Sequence, residues 1–235
     1  MKTVSTSIDA LIFDLDGTLA DSLGDIGDAT NEVLAAYGLP ALPTELFKHL
    51  VGEGAELLLR RAVRAAQGRD WRVGSDALPA EMRVLLEGYR QAYDRMAHRK
   101  SSPYPGIEAM LDGVVQAGRP MAVLSNKRDE FTKHLVHLHF GRWPFVDVRG
   151  ERDGVPRKPD PTAALELGRA LGVSPERIGF LGDTPIDMRT ANAAGMVSIG
   201  ALWGFRSREE LVEAKARHLL ERPEDLLSLI DSPKR

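Results

Sequence analysis

The chain has 235 residues, of which 43% are hydrophobic and 28% charged, with a net charge of −3 and no cysteine. That length can bury a large core, and the balance of apolar and charged residues argues against disorder. The weak negative charge gives no basic field for nucleic acid, and the missing thiols exclude disulfides and zinc–thiolate centres.

The opening stretch, MKTVSTSIDA, lacks the apolar centre of a signal peptide, and no apolar run reaches membrane-spanning length. The expectation is a soluble, cytoplasmic protein. Ala10-Leu11-Ile12-Phe13 is a short apolar run that ends in Asp14, Asp16 and Gly17. This pattern predicts a buried parallel strand with two carboxylates at its C-terminal end, where open α/β sheets bind ligands. The pattern then becomes helical. Asp25 to Tyr37 carries Ile26, Ala29, Val33, Leu34 and Tyr37 on one face. Thr44 to Val51 forms a short segment before Gly52-Glu53-Gly54, and helices are expected over 55–67 and 78–97. Residues 20 to 97 thus read as entirely helical.

Alternation begins after Ser101-Ser102-Pro103-Tyr104-Pro105-Gly106, the best linker candidate. Helices are expected at 107–116, 130–138, 161–171 and 186–194. Strands are expected at 121–124, 145–148, 178–181 and 197–199. Strands alternating with helices mean βαβ units and a parallel sheet. The expected fold is α/β, a Rossmann-like parallel-sheet core made of 1–19 and 98–235. An all-helical cap, 20–97, is inserted after the first strand. An insertion there would lie over the carboxyl ends of the strands as a lid.

Asp14 and Asp16 alone could be turn residues. An EF-hand loop fails, because Leu19 stands where its glycine belongs and Asp25 where its glutamate belongs. A second acidic pair, Asp183 and Asp187, follows the strand at 178–181, four residues apart at a helix start. Alone, this pair reads equally as an N-cap and a first-turn acid. If the two strands are neighbours, four carboxylates meet at one sheet edge. Each like pair at about 4 Å costs roughly 4 kcal/mol at an effective dielectric of 20. Such a cluster calls for a cation, and oxygen-only ligands suit Mg²⁺. Lys158 offers another positive charge, or is a solvated loop lysine. Ser125 and Asn126 either cap the next helix or donate hydrogen bonds to a phosphoryl oxygen. Gly52 and Gly54 allow close backbone approach to an anion, or simply make a tight turn. Arg60 and Arg61 meet a substrate carboxylate or form a solvated helix face. His134, His137 and His139 surround one helix end without an acidic partner, and Trp71, Trp143 and Trp203 read as packing residues.

These pieces, in this order, resemble the haloacid dehalogenase superfamily of phosphohydrolases. Its Asp-x-Asp-x-Thr motif is matched by Asp14, Asp16 and Thr18. Its strand-end hydroxyl is matched by Ser125, its lysine by Lys158, and its Gly-Asp-x-x-x-Asp by Asp183 and Asp187. Val51-Gly52-Glu53-Gly54, Tyr104-Pro105-Gly106 and Trp203-Gly204-Phe205-Arg206-Ser207 further resemble the phosphoglycolate phosphatase branch. The resemblance implies nucleophilic attack by Asp14, giving an aspartyl-phosphate, with Asp16 as acid and base. It implies Mg²⁺ held by Asp14, the Asp16 carbonyl oxygen, Asp183 and Asp187. Lys158 would offset charge, and Ser125 and Asn126 would hold phosphoryl oxygens. The implied substrate is a small phosphate monoester, foremost 2-phosphoglycolate, with no nucleic-acid or membrane partner and a monomeric or homodimeric protein. A sugar phosphomutase of the same superfamily and a non-enzymatic phospho-receiver are the alternatives. Receivers are shorter and carry the phosphorylated Asp on a later strand.

Overall fold

The structure is a computed structural model and describes residues 7–72, 80–96 and 99–230. In chain order the elements are β1 (Ala10–Phe13), β2 (Ala20–Asp21), α1 (Leu23–Ala36), α2 (Thr44–Leu50), α3 (Ala55–Ala66), α4 (Ala80–Met96) and β3 (Ser102–Pro103). There follow α5 (Ile107–Gln116), β4 (Met121–Arg128), α6 (Asp129–Phe140), β5 (Phe145–Glu151), α7 (Thr162–Leu171) and β6 (Ile178–Gly182). The chain ends with α8 (Pro185–Ala193), β7 (Val197–Ala201), α9 (Arg208–Glu213), β8 (His218–Leu220) and α10 (Asp225–Ile230). It divides into two compact units, Met1–Ala20 with Pro103–Arg235, and Asp21–Ser102.

The first unit is built on a six-stranded sheet in the order β5-β4-β1-β6-β7-β8. Every pairing is parallel. The central β1 is buried along its whole length, as expected for a strand with helices on both faces. Alternate residues serve opposite layers. Leu11 and Phe13 pack with Leu111, Val114, Leu135 and Leu226 on one face, and Ala10 and Ile12 pack with Ala164, Leu167 and Ala191 on the other. After β1 the sheet grows toward β5 on one side and toward β8 on the other. The switch in winding therefore falls beside β1, which opens a crevice at its carboxyl end.

The strands expected at 121–124 and 145–148 are longer in the structure. β4 continues through Ser125 to Arg128, pairing as far as Arg128 with Glu151 after a register shift beyond Leu124. Polar residues at the end of a buried strand broke the apolar run but not the ladder. Part of the expected linker, Ser102–Pro103, is strand β3, which pairs with β2 in a separate two-stranded sheet.

The second unit is helical between its flanking strand residues. Its α1 packs against α4, α2 and α3. Its core includes Ile26, Leu34, Phe47, Leu59 and Tyr93. Tyr37, expected on the packed face of α1, is exposed because the helix ends at Ala36 and Tyr37 is its C-cap. The expected helix ends Leu78 and Ala97, and residues 1–6, lie outside the described residues. Among the described residues, no helix is long and apolar enough to cross a membrane.

Asp25, in the first turn of α1, is buried within this unit. Its carboxylate accepts hydrogen bonds from the Ser101 backbone N–H at 2.8 Å, the Ser101 hydroxyl at 2.5 Å and the Lys100 backbone N–H at 3.1 Å. One carboxylate so ties the first helix of the unit to its last residues.

Candidate active site

The site begins where β1 ends. The Asp14 backbone N–H donates to the Leu181 carbonyl at 2.9 Å, which carries the β1–β6 ladder one residue beyond the strand. The chain then turns on the Leu15 carbonyl, which accepts from the Leu19 and Ala20 N–H groups at 3.0 and 2.9 Å. Gly17 makes this turn possible with φ of +87°. A β-carbon there would also strike the Asp183 carboxylate, so Gly17 serves both backbone conformation and close approach. Thr18 Oγ1 donates to Asp183 Oδ1 at 3.0 Å.

Asp183 follows β6 and is fully buried. Its other oxygen accepts the Phe205 backbone N–H at 2.8 Å. Gly204 lies so close that a β-carbon would collide with the Asp183 side chain and the Gly17 carbonyl. Trp203 Nε1 donates to the Thr18 carbonyl at 2.9 Å, fastening the Trp203–Phe205 loop to the turn after β1. The alternative that Asp183 caps the next helix does not hold. Thr184 is the N-cap of α8, and it forms a reciprocal capping box with Asp187. Thr184 Oγ1 lies 2.7 Å from Asp187 Oδ2, leaving Asp187 Oδ1 for another partner.

That partner is Lys158. Its ammonium donates to Asp187 Oδ1 at 2.6 Å and to Asp14 Oδ1 at 2.8 Å. Lys158 is buried, so it is no solvated loop lysine. Ser125 and Asn126 are buried in β4. Neither caps α6, whose N-cap is Arg128 with no side-chain bond. The Asn126 amide instead holds the backbone of Lys158, accepting from its N–H at 2.9 Å and donating to its carbonyl at 3.0 Å. Asp16 points to Lys127, whose ammonium lies 2.5 Å from Asp16 Oδ1.

Ligand oxygens of Asp14, Asp183 and Asp187 lie within 4.8 Å of one another. Burial and repulsion from Asp187 push the pKa of Asp14 well above the ordinary carboxylate range, against the opposing pull of Lys158. Burial and Asp187 push Asp183 up to about 7, opposed by the Phe205 N–H and the Thr18 hydroxyl. Burial works against the Lys158 ammonium, but the charges of Asp14 and Asp187 outweigh it and raise its pKa. Three buried carboxylates thus share one lysine that touches two of them. The all-oxygen donor set and the excess of negative charge fit a hard divalent cation.

Asp14, Asp16, Thr18, Ser125, Asn126, Lys158, Asp183 and Asp187 all belong to the first unit. Gly52 and Gly54 belong to the second, flanking Glu53 at positive φ of 112° and 88°. Arg61 braces this turn, donating to the Leu50 carbonyl at 3.3 Å and pairing with Glu53. Arg60 pairs with Glu56 at 3.1 Å along α3. Three partners were not singled out from the sequence. Lys127 had a signal, since it directly follows Ser125-Asn126 at a strand end. Thr184 had one too, as a hydroxyl before Pro185 and three residues before an acid. The Phe205 N–H had none, because a backbone donor carries no side-chain signature.

The profile of the haloacid dehalogenase-like hydrolases matches residues 11–201, from β1 through the last residue of β7. The chain belongs to this family. Among the family's proteins, a phosphoglycolate phosphatase of Pseudomonas aeruginosa is 30% identical over 223 residues, covering 94% of this chain and 79% of that protein. One from Rhodospirillum rubrum is 36% identical over 208 residues, covering 88% and 84%. The crystal structure of a provisionally assigned phosphoglycolate phosphatase from Lactobacillus delbrueckii superposes with a TM-score of 0.88 at 29% identity. It covers 95% of this chain and 98% of its own. Within the haloacid dehalogenase-like hydrolases, the chain is thus similar in sequence and fold to proteins named as phosphoglycolate phosphatases.

Proposed function

We propose that this enzyme is a Mg²⁺-dependent phosphatase that cleaves a small phosphate monoester through an aspartyl-phosphate, with 2-phosphoglycolate as its leading substrate. The observation that carries the reading is the Asp14 carboxylate, 2.8 Å from the Lys158 ammonium and clustered with Asp183 and Asp187. Lys158 together with a bound cation would oppose the burial and the Asp187 repulsion that raise the Asp14 pKa, leaving a carboxylate that attacks phosphorus without a general base.

Asp14, Asp183 and Asp187, with the Asp16 carbonyl oxygen, would hold the metal. When bound, Mg²⁺ supplies positive charge that lets an anionic phosphoryl group enter this acidic crevice. Asp14 forms the bond to phosphorus as the ester oxygen leaves, and Asp16 gives that oxygen its proton. Asp16 then takes a proton from the water that attacks the aspartyl-phosphate, releasing phosphate and restoring Asp14. Lys158 offsets charge on Asp14 and on the phosphoryl group, while Ser125, with Thr18 behind Asp183, supports the phosphoryl end. Phosphatase relatives support this assignment, as does 26% identity to a Rhodobacter sphaeroides CbbY whose crystal structure contains phosphate.

All but the first residue of the insertion expected at 20–97 falls in the compact unit Asp21–Ser102, and that unit is assigned as the cap domain, with the rest of the chain as the core. Because the core groups meet only the phosphoryl end, selectivity falls to the cap. The Gly52-Glu53-Gly54 turn is assigned to the substrate's second anionic end. Its internal Glu53–Arg61 pair reduces the repulsion Glu53 would exert on a carboxylate. The test is kcat/KM for 2-phosphoglycolate against sugar phosphates, nucleoside monophosphates and pyrophosphate. The reading expects at least a tenfold preference, about 1.4 kcal/mol in transition-state binding. A smaller preference removes 2-phosphoglycolate and keeps the phosphatase class. No turnover of any ester removes the class.

A further inference from the structure

Asn126 presents a conflict between what the sequence suggests and what its side chain does. On the motif resemblance it is a phosphoryl ligand. In the structure its amide forms a two-point clamp on the backbone of Lys158, 32 residues away, at 2.9 and 3.0 Å. The orientation of the amide is fixed by its partners. The Lys158 N–H can only donate and so meets Oδ1, and the Lys158 carbonyl can only accept and so meets Nδ2. Oδ1 is an acceptor, so that half of the amide has nothing to offer a phosphoryl oxygen.

The clamp has a clear physical purpose. Lys158 sits in the segment between β5 and α7 and belongs to no strand. Its backbone N–H and carbonyl are buried with it and need partners. The Asn126 side chain supplies both, as a neighbouring strand would. β4, by contrast, is held between β1 and β5. Asn126 therefore transfers the rigidity of the sheet to the loop that carries the site's buried ammonium. A lysine side chain has four rotatable bonds. Its ammonium meets Asp14 at 2.8 Å and Asp187 at 2.6 Å, which requires its Cα to be fixed.

We propose that Asn126 is a positioning residue that sets the Lys158 ammonium between Asp14 and Asp187. Its consequences for turnover rest on the phosphatase reading above; the clamp itself does not. Asn126→Ala should lower kcat by about 10- to 100-fold, the cost of a misplaced charged group, while KM changes less than about threefold. In a Lys158→Ala background, followed under single-turnover conditions, the same change should cost less than about twofold, because nothing remains to be positioned. With ¹⁵N-lysine labelling, the Lys158 amide should exchange with solvent at least about tenfold faster in Asn126→Ala, with Mg²⁺ absent and no substrate present. Asn126→Asp keeps the acceptor for the Lys158 N–H but turns an acceptor-only oxygen toward the Lys158 carbonyl, so it breaks one arm of the clamp and serves if the alanine variant does not fold. It too should lower kcat with little change in KM and speed exchange at the Lys158 amide.

A KM rise with unchanged kcat, or losses that multiply in the double variant, would overturn the proposal in favour of direct substrate contact. Unchanged exchange at the Lys158 amide would overturn it whatever the activity. Should the wild-type protein release no phosphate from any ester, the phosphatase reading fails while the exchange measurement still decides the clamp.

Discussion

Replacing Lys158 by methionine isolates the electrostatics of the site, because methionine keeps an unbranched side chain of similar length and removes the charge. Three carboxylates with ligand oxygens inside 4.8 Å would then lack the ammonium that bonds two of them. At about 4.8 Å each pair repels by roughly 3.5 kcal/mol at an effective dielectric of 20. Removing one member of a buried ion pair costs about 3–5 kcal/mol, proton uptake by the carboxylates limiting the loss. In a chain of this size that corresponds to a fall in melting temperature of about 6–20 °C. Calorimetry is run in EDTA at pH 8.5, above the value of about 7 to which burial and Asp187 push Asp183, so that proton uptake at that carboxylate is reduced. The same variant should gain more from added Mg²⁺ than the wild type, since no ammonium competes for the carboxylates. A variant within about 1 kcal/mol of wild type in EDTA, with an equal response to Mg²⁺, would refute the reasoning.

Other outcomes follow from the same contacts. Chelation should abolish turnover and Mg²⁺ restore it, while Ca²⁺, with its larger and looser coordination shell, should inhibit; full activity after verified metal removal contradicts the site. Asp25→Ala strips the acceptor from two backbone N–H groups and a hydroxyl inside the helical unit, and urea unfolding should show a loss of about 2–4 kcal/mol. A loss under 1 kcal/mol would mean that water replaces the carboxylate. Gly204→Ala should displace Asp183, which a β-carbon at 204 would strike, and weaken metal binding measured by calorimetric titration. Wild-type affinity in that variant would show that the Trp203–Phe205 loop yields without cost.

The acidic centre was legible because its geometry follows from strand chemistry. Ala10–Phe13 and Ile178–Leu181 are apolar runs ending in acids, and two such runs adjacent in a parallel sheet bring their acids together. The α/β alternation beyond residue 106 was readable for the same reason. Short elements were not. β8 spans only His218–Leu220 at the sheet edge, and α9 and α10 have six residues each, too few to show a period. The polar end of β4 hid its extension. The side-chain pattern does not reveal the Asn126 clamp or the Phe205 N–H on Asp183, since both join a side chain to a distant backbone.

The central claim is covalent chemistry at Asp14. The most direct measurement is acid-quenched turnover of a phosphate monoester with Mg²⁺, followed by peptide mass spectrometry. The account predicts one added phosphoryl group on the peptide containing Asp14, absent in EDTA and absent in Asp14→Asn, which should also lose at least about a thousandfold in kcat. Rapid turnover with no label at Asp14, or with the label on another residue, would contradict it.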